Sequence, residues 1–116
     1  MSAKPSSVVQ EVRTTPDATV VVLSGEVDLH HSPALHAALV NVAAARPRRL
    51  VLNLGGVTYM DSSGVGTLVE LLRRVNGYKG KLALVALTDR VRGVFEITKL
   101  DKFFTIFPTE EQALQA

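Results

Sequence analysis

Cysteine is absent from the 116-residue sequence, which excludes disulfides, thiolate nucleophiles and cysteine-based zinc sites and fits a reducing compartment. Aromatic residues make up only 5% and are not interleaved with a basic stripe, so there is no platform for stacking single-stranded bases. No apolar run approaches the ~18 residues of a membrane span. The opening Met1-Ser2-Ala3-Lys4-Pro5-Ser6-Ser7 has no apolar signal-peptide stretch either. We therefore expect a cytoplasmic, soluble protein with no membrane insertion and no direct nucleic-acid partner. Neither Gly-x-x-x-x-Gly-Lys-Ser/Thr nor Gly-x-Gly-x-x-Gly occurs, so no nucleotide cofactor is expected, and a kinase acting on this chain must act in trans.

What remains is ordinary globular material, with 47% hydrophobic and 21% charged residues and a net charge of +2. The length allows one domain around one core. Residues 1–7 are polar, contain Pro5 and read as a flexible arm, which leaves 8–116 as the domain. The basic residues are spread along the chain, and only Arg46-Pro47-Arg48-Arg49 clusters.

Two β-rich stretches, Val8 to Val12 and Thr19 to Ser24, flank the turn-forming Thr14-Thr15-Pro16-Asp17 and predict a hairpin. Ser32-Pro33 reads as an N-cap followed by proline at the first helical position, with Leu35, Ala38, Leu39 and Val42 on one face and Pro47 ending the helix. Leu50 to Leu54 is a strand covered on both sides, followed by a loop from Gly55 to Gly64. Val65, Leu68, Val69 and Leu72 then recur at i, i+3, i+4 and i+7, with Glu70 and Arg74 paired on another face and Asn76-Gly77 as the stop. Leu82 to Leu87 predicts a strand, Thr88-Asp89 opens a short helix, and Phe104 to Phe107 is a last strand. Thr109 and Gln112 have capping-box spacing before a terminal helix. A hairpin followed by alternating helix and strand implies an α/β fold: a mixed β-sheet with helices packed against it.

Asp61, Ser62, Ser63 and Gly64 stand between a buried strand and the strongest helix. A strand-to-helix junction is where partners meet α/β sheets. The free N–H groups and dipole of the helix start also suit a phosphate on Ser62. Asp and Ser are equally what an ordinary N-cap uses, so the segment alone leaves both readings open. Gly64 is expected to keep the junction accessible to another protein's active site. Serine catalysis lacks support, because Gly-x-Ser-x-Gly is absent and the only histidines are His30, His31 and His36. Adjacent His30 and His31 do not converge on one ion, and no further ligand is suitably spaced, so no metal is expected. Arg73, Arg74 and Lys79 form a solvated face or a contact surface.

Four pieces in order carry a family resemblance: Gly25-Glu26-Val27-Asp28 with His30-His31, then Asn53-Leu54, then Met60-Asp61-Ser62-Ser63-Gly64-Val65-Gly66 opening the helix. From about Val8 to Ala113 the chain resembles the anti-sigma-factor antagonist (anti-anti-sigma factor) branch of the STAS domain family. The resemblance implies a non-enzymatic partner switch. The unmodified protein binds an anti-sigma factor and frees a sigma factor. That anti-sigma factor, a serine kinase, phosphorylates Ser62, and a phosphoserine phosphatase reverses the step. Asp28 and Asp61 are expected near Ser62, where they would orient its hydroxyl or meet an Arg of the kinase, with Ser63 and Gly64 on the partner surface. Asp28 is also consistent with a plain turn cap. Two other functions share the fold: a scaffold subunit of a stress-signalling assembly, and an accessory subunit of a lipid-transport ABC system.

Overall fold

The chain enters the fold through a hairpin, β1 (Val9–Thr14) and β2 (Thr19–Val27). Thr15 shapes its turn: the Thr15 hydroxyl accepts the N–H of Asp17 at 3.3 Å and of Ala18 at 3.1 Å, while the Thr15 N–H donates to the Ala18 carbonyl at 2.8 Å. This computed structural model describes residues 8–116, and the expected arm over residues 1–7 lies outside the described residues. After the hairpin come α1 (Ser32–Ala44), β3 (Arg49–Met60), α2 (Ser62–Gly77), β4 (Lys81–Val85), α3 (Asp89–Ile97), β5 (Thr105–Phe107) and α4 (Glu110–Gln115). A 3-10 turn, Leu100–Lys102, precedes β5.

The five strands lie side by side in chain order. β1 and β2 are antiparallel, and the other three pairs are parallel, each joined through a helix. The sheet is therefore mixed, as the alternation of elements implies.

Strand side chains alternate between the two faces. Leu23, Leu50, Leu52, Leu54, Leu82 and Leu84 meet Leu35 and Leu39 of α1, Leu68, Leu71 and Val75 of α2, and Val91 and Phe95 of α3. Val20, Val51, Ala83 and Val85 point the other way, where Ala113 of α4 covers them. This double burial is why the central strands read as unbroken apolar runs. A polar clamp holds α4 in place: Arg13 donates to both carboxylate oxygens of Glu110 at 2.8 and 2.9 Å, and Asn53 Nδ2 donates to Glu110 Oε2 at 2.7 Å. The Arg49 guanidinium also donates to the carbonyls of Leu114 and Ala116.

Three expectations need correction. β3 does not stop at Leu54; it continues to Met60, because β2 also runs on to Val27 and the two stay paired (Ser24 with Gly56, Val27 with Met60) across two register shifts. Gly25, at φ +94°, sits at one of these irregularities, and the Gly55-Gly56 pair, which reads as the start of a loop, lies within the strand. Ser32 is not the N-cap of α1. His31 holds that position without a side-chain bond, so Ser32 is the first helical residue and Pro33 the second. The cause is a turn closed by the Asp28 carbonyl, which accepts both the N–H and the hydroxyl of Ser32 at 2.8 Å. On α2 the buried stripe is Val65, Leu68, Leu71 and Val75, with Val69 and Leu72 only half-buried at its margin.

Thr88 and Thr109 cap α3 and α4 as their spacing predicts, their hydroxyls accepting the N–H groups of Val91 and Gln112. Glu70 and Arg74 form the expected exposed pair at 3.3 Å.

Candidate functional site: the mouth of α2

The site is built where the C-terminal ends of β2 and β3 meet the N-termini of α1 and α2. Asp61 follows β3 directly and keeps an extended backbone, φ −107° and ψ −172°, which aims its carboxylate back over the first turn of α2. Its Oδ1 accepts the N–H of Ser63 at 2.9 Å, the N–H of Gly64 at 3.2 Å and the hydroxyl of Ser63 at 2.6 Å. Its Oδ2 accepts the N–H of Leu29 at 3.1 Å. The hydrogen bond from the Ser63 hydroxyl is the main reason this carboxyl lies below the usual aspartate range. Partial burial opposes the shift, and the three backbone N–H donors add to it.

Asp28 sits on the neighbouring strand end. Asp61 holds the backbone on both sides of it, donating its own N–H to the Val27 carbonyl at 3.2 Å and accepting from Leu29. The Asp28 side chain turns to His31, accepting its N–H at 3.0 Å and standing 2.8 Å from Nδ1. Desolvation pushes this carboxyl up, and the hydrogen bonds and charge of His31 more than offset it, leaving it below the ordinary value. Asp28 and Asp61 are thus brought together, yet neither carboxylate orients the Ser62 hydroxyl.

Ser62 is the first residue of α2, exposed, and its hydroxyl makes no hydrogen bond within the described residues. Ser63 is half-buried and doubly engaged: beyond Asp61, its Oγ lies 2.8 Å from Oγ of Ser32, which is only 6% exposed. Gly64, expected to hold the junction open, is buried in the first turn instead. A Cβ there would stand 2.8 Å from the Val27 carbonyl oxygen and 2.9 Å from Met60 Cγ, so the bare backbone is what lets α2 seat against the strand ends.

Sequence reasoning missed Leu29 and Ser32. Leu29 is 74% exposed beside the site, and Tyr59, near the end of β3, is 40% exposed. Ser32, beside Pro33, reads as a local cap in the sequence, and its partner lies 31 residues away. His30 packs edge-on against His31 with ring centroids 5.0 Å apart. Among the described residues no group of His, Cys, Asp and Glu is arranged to hold a metal ion, and no helix is long and apolar enough to cross a membrane.

A hairpin feeding a mostly parallel sheet, with an aspartate-capped serine pair opening the second helix, defines a small α/β module. The STAS domain pattern matches residues 10–113, and the chain belongs to the STAS domain family. Over 80 residues it is 35% identical to the anti-sigma-B factor antagonist of Staphylococcus aureus, covering 69% of this chain and 74% of that one. It is similar to the structure of an anti-sigma factor antagonist from Mycobacterium paratuberculosis at 32% identity and a TM-score of 0.84, covering 99% of this chain and 97% of the other. It is also similar to the Bacillus cell fate determinant SpoIIAA in its phosphorylated form, at 25% identity and a TM-score of 0.69, covering 90% of this chain and 96% of that one.

Proposed function

We propose that this protein is an anti-sigma factor antagonist that works by partner switching in the cytoplasm, with Ser62 as the switch. The observation that carries the reading is the state of Ser62: an exposed hydroxyl without a hydrogen-bond partner among the described residues, on the first turn of a capped helix, in a chain similar to proteins named for this activity. A relative solved in a phosphorylated form supports the same chemistry.

In the cycle, the unmodified chain binds an anti-sigma factor and a sigma factor is released. The anti-sigma factor is also a serine kinase. Ser62 Oγ attacks the γ-phosphorus of ATP bound to that kinase, a new P–O bond forms, the bond to the β,γ-bridging oxygen breaks, and ADP leaves. The hydroxyl proton passes to a base of the kinase. A phosphatase later adds water across the serine–phosphate bond, returning the proton to Ser62 and releasing inorganic phosphate.

The phosphate adds about −1.5 to −2 charges. Stripping that charge of water in an interface without a partner costs roughly 3–5 kcal/mol. At about 1.4 kcal/mol per tenfold, binding falls by a hundredfold or more. Asp28, Asp61 and Ser63 shape the surface around the switch, buried Gly64 seats the helix beneath it, and exposed Leu29 lies on the same surface.

The test is a pull-down with and without ATP, followed by mapping of the phosphorylated residue. Ser62→Ala is expected to hold the anti-sigma factor in the presence of ATP, and Ser62→Asp to bind it at least about a hundredfold more weakly. Equal binding by the two variants, or phosphate on another residue, overturns the assignment.

A further inference from the structure

Two serine hydroxyls at the junction of α1 and α2 have three close oxygen neighbours to satisfy. Ser63 Oγ is 2.6 Å from Asp61 Oδ1, Ser32 Oγ is 2.8 Å from Ser63 Oγ, and Ser32 Oγ is 2.8 Å from the Asp28 carbonyl. Each hydroxyl carries one proton, so two protons serve three contacts. The charged acceptor forms the strongest bond, which directs the Ser63 proton to Asp61. The Ser32 hydroxyl stands 2.8 Å from both remaining oxygens, so its one proton is shared between the Asp28 carbonyl and Ser63 Oγ as a three-centre bond. The oxygen of Ser63 therefore faces buried Ser32, and its proton faces a carboxylate.

A serine that accepts a phosphoryl group needs a lone pair aimed at phosphorus and a proton free to leave. Ser63 is half-buried and Ser32 takes up one of its two lone pairs, which narrows the approach of phosphorus, whereas the exposed Ser62, one residue earlier, has both lone pairs open. We infer that Ser32, reaching from α1, closes Ser63 as an acceptor and so leaves Ser62 as the single serine open at the mouth of α2. This rests on the phosphorylation reading of Ser62. Ser32 and Ser63 are positioning residues, acting through the hydrogen-bonded chain Ser32, Ser63, Asp61. They make the site single-valued even though two serines stand next to each other.

The test uses phosphosite mapping by mass spectrometry of the full chain recovered from its own cells, as the parent, Ser62→Ala, and Ser62→Ala with Ser32→Ala. The parent is expected to carry phosphate on Ser62, and Ser62→Ala to carry almost none on Ser63. Loss of Ser32 in the double variant raises Ser63 occupancy about tenfold over Ser62→Ala, the population shift that one lost hydrogen bond yields. Ser63 in Ser62→Ala phosphorylated as fully as Ser62 in the parent overturns the inference, as does a double variant indistinguishable from the single. A parent without phosphate on Ser62 overturns the switch reading instead. A partner-free measurement then decides the chain itself: the carboxyl carbon of Asp61 is titrated by NMR in the parent, Ser63→Ala and Ser63→Thr. The chain predicts a rise in the Asp61 pKa for Ser63→Ala that Ser63→Thr reverses, and an unmoved value refutes it.

Discussion

The N–H of Leu29 donates to Oδ2 of Asp61 at 3.1 Å across 32 positions of sequence, while the other oxygen of the same carboxylate caps α2. One side chain therefore fixes the entry to the second helix and the loop leading to the first. Replacing it removes a helix cap and leaves the Leu29 N–H without its partner. Asp61→Ala is expected to lose about 1–2 kcal/mol in urea unfolding, the upper range for a cap, whereas Asp61→Asn, which keeps an acceptor oxygen, loses about half as much. Equal losses for the two would mean that the carboxylate acts through its charge and not through the bonds it accepts.

The two glycines of the first turns of α2 are predicted to respond in opposite directions. At Gly64 a methyl group meets the Val27 carbonyl oxygen at 2.8 Å, which is backbone and gives way only if the strand end moves. At Gly66 it meets nothing within 4 Å, and the position is exposed. Gly64→Ala is expected to cost about 1–3 kcal/mol through overpacking. Gly66→Ala gains up to about 1 kcal/mol from helix propensity. Thermal melts of the two variants beside the parent check the pair.

Much of this architecture is legible in local pattern, and what is not has a common physical cause. The spacing of Val65, Leu68, Val69 and Leu72 predicts α2, and Thr88 and Thr109 announce their helices, because these signals act within a turn or two of the chain. Gly55-Gly56 reads as a break, yet β3 continues through it because β2 is alongside to pair with. That support comes from a strand roughly thirty residues away, and no local propensity encodes it. The same holds at the site: Asp61 as a cap is visible in the sequence, while the Ser32–Ser63 contact and the burial of Gly64 depend on how α1 and α2 are set against the sheet.

Acid should expose the carboxylates that the fold holds ionised. Asp61, held down first by the Ser63 hydroxyl, and Glu110, held down first by Asn53 and then by Arg13, both titrate lower in the folded chain than in the unfolded one. The unfolded chain therefore binds more protons in the acid range, and stability rises with pH there. The contribution is fully present above the unfolded values, about 3.9 for Asp and 4.3 for Glu, and is lost as pH falls through the lower folded ones. Urea midpoints measured between pH 3 and pH 7 should fall on the acid side, with a shallower slope in Asp61→Asn and in Glu110→Gln. An Asp61→Asn profile parallel to the parent's would detach the cap from the acid response.

A charge at Ser62 is the remaining test, because it separates a switch of surface from a switch of fold. The side chain is exposed, so a carboxylate or phosphate there stays hydrated. The helix start contributes roughly 0.3–1 kcal/mol in its favour, and repulsion from neighbouring Asp61 works against that gain. Both effects act through solvent and shrink as salt shortens the Debye length to about 3 Å at 1 M. Ser62→Asp is therefore expected to unfold within about 1 kcal/mol of the parent at low salt, and to converge on it at high salt. A loss greater than about 2 kcal/mol would mean that the charge disrupts the first turn of α2, where Ser63 and Gly64 are bonded to Asp61, and any weakened binding by that variant would then report unfolding in place of a changed docking surface.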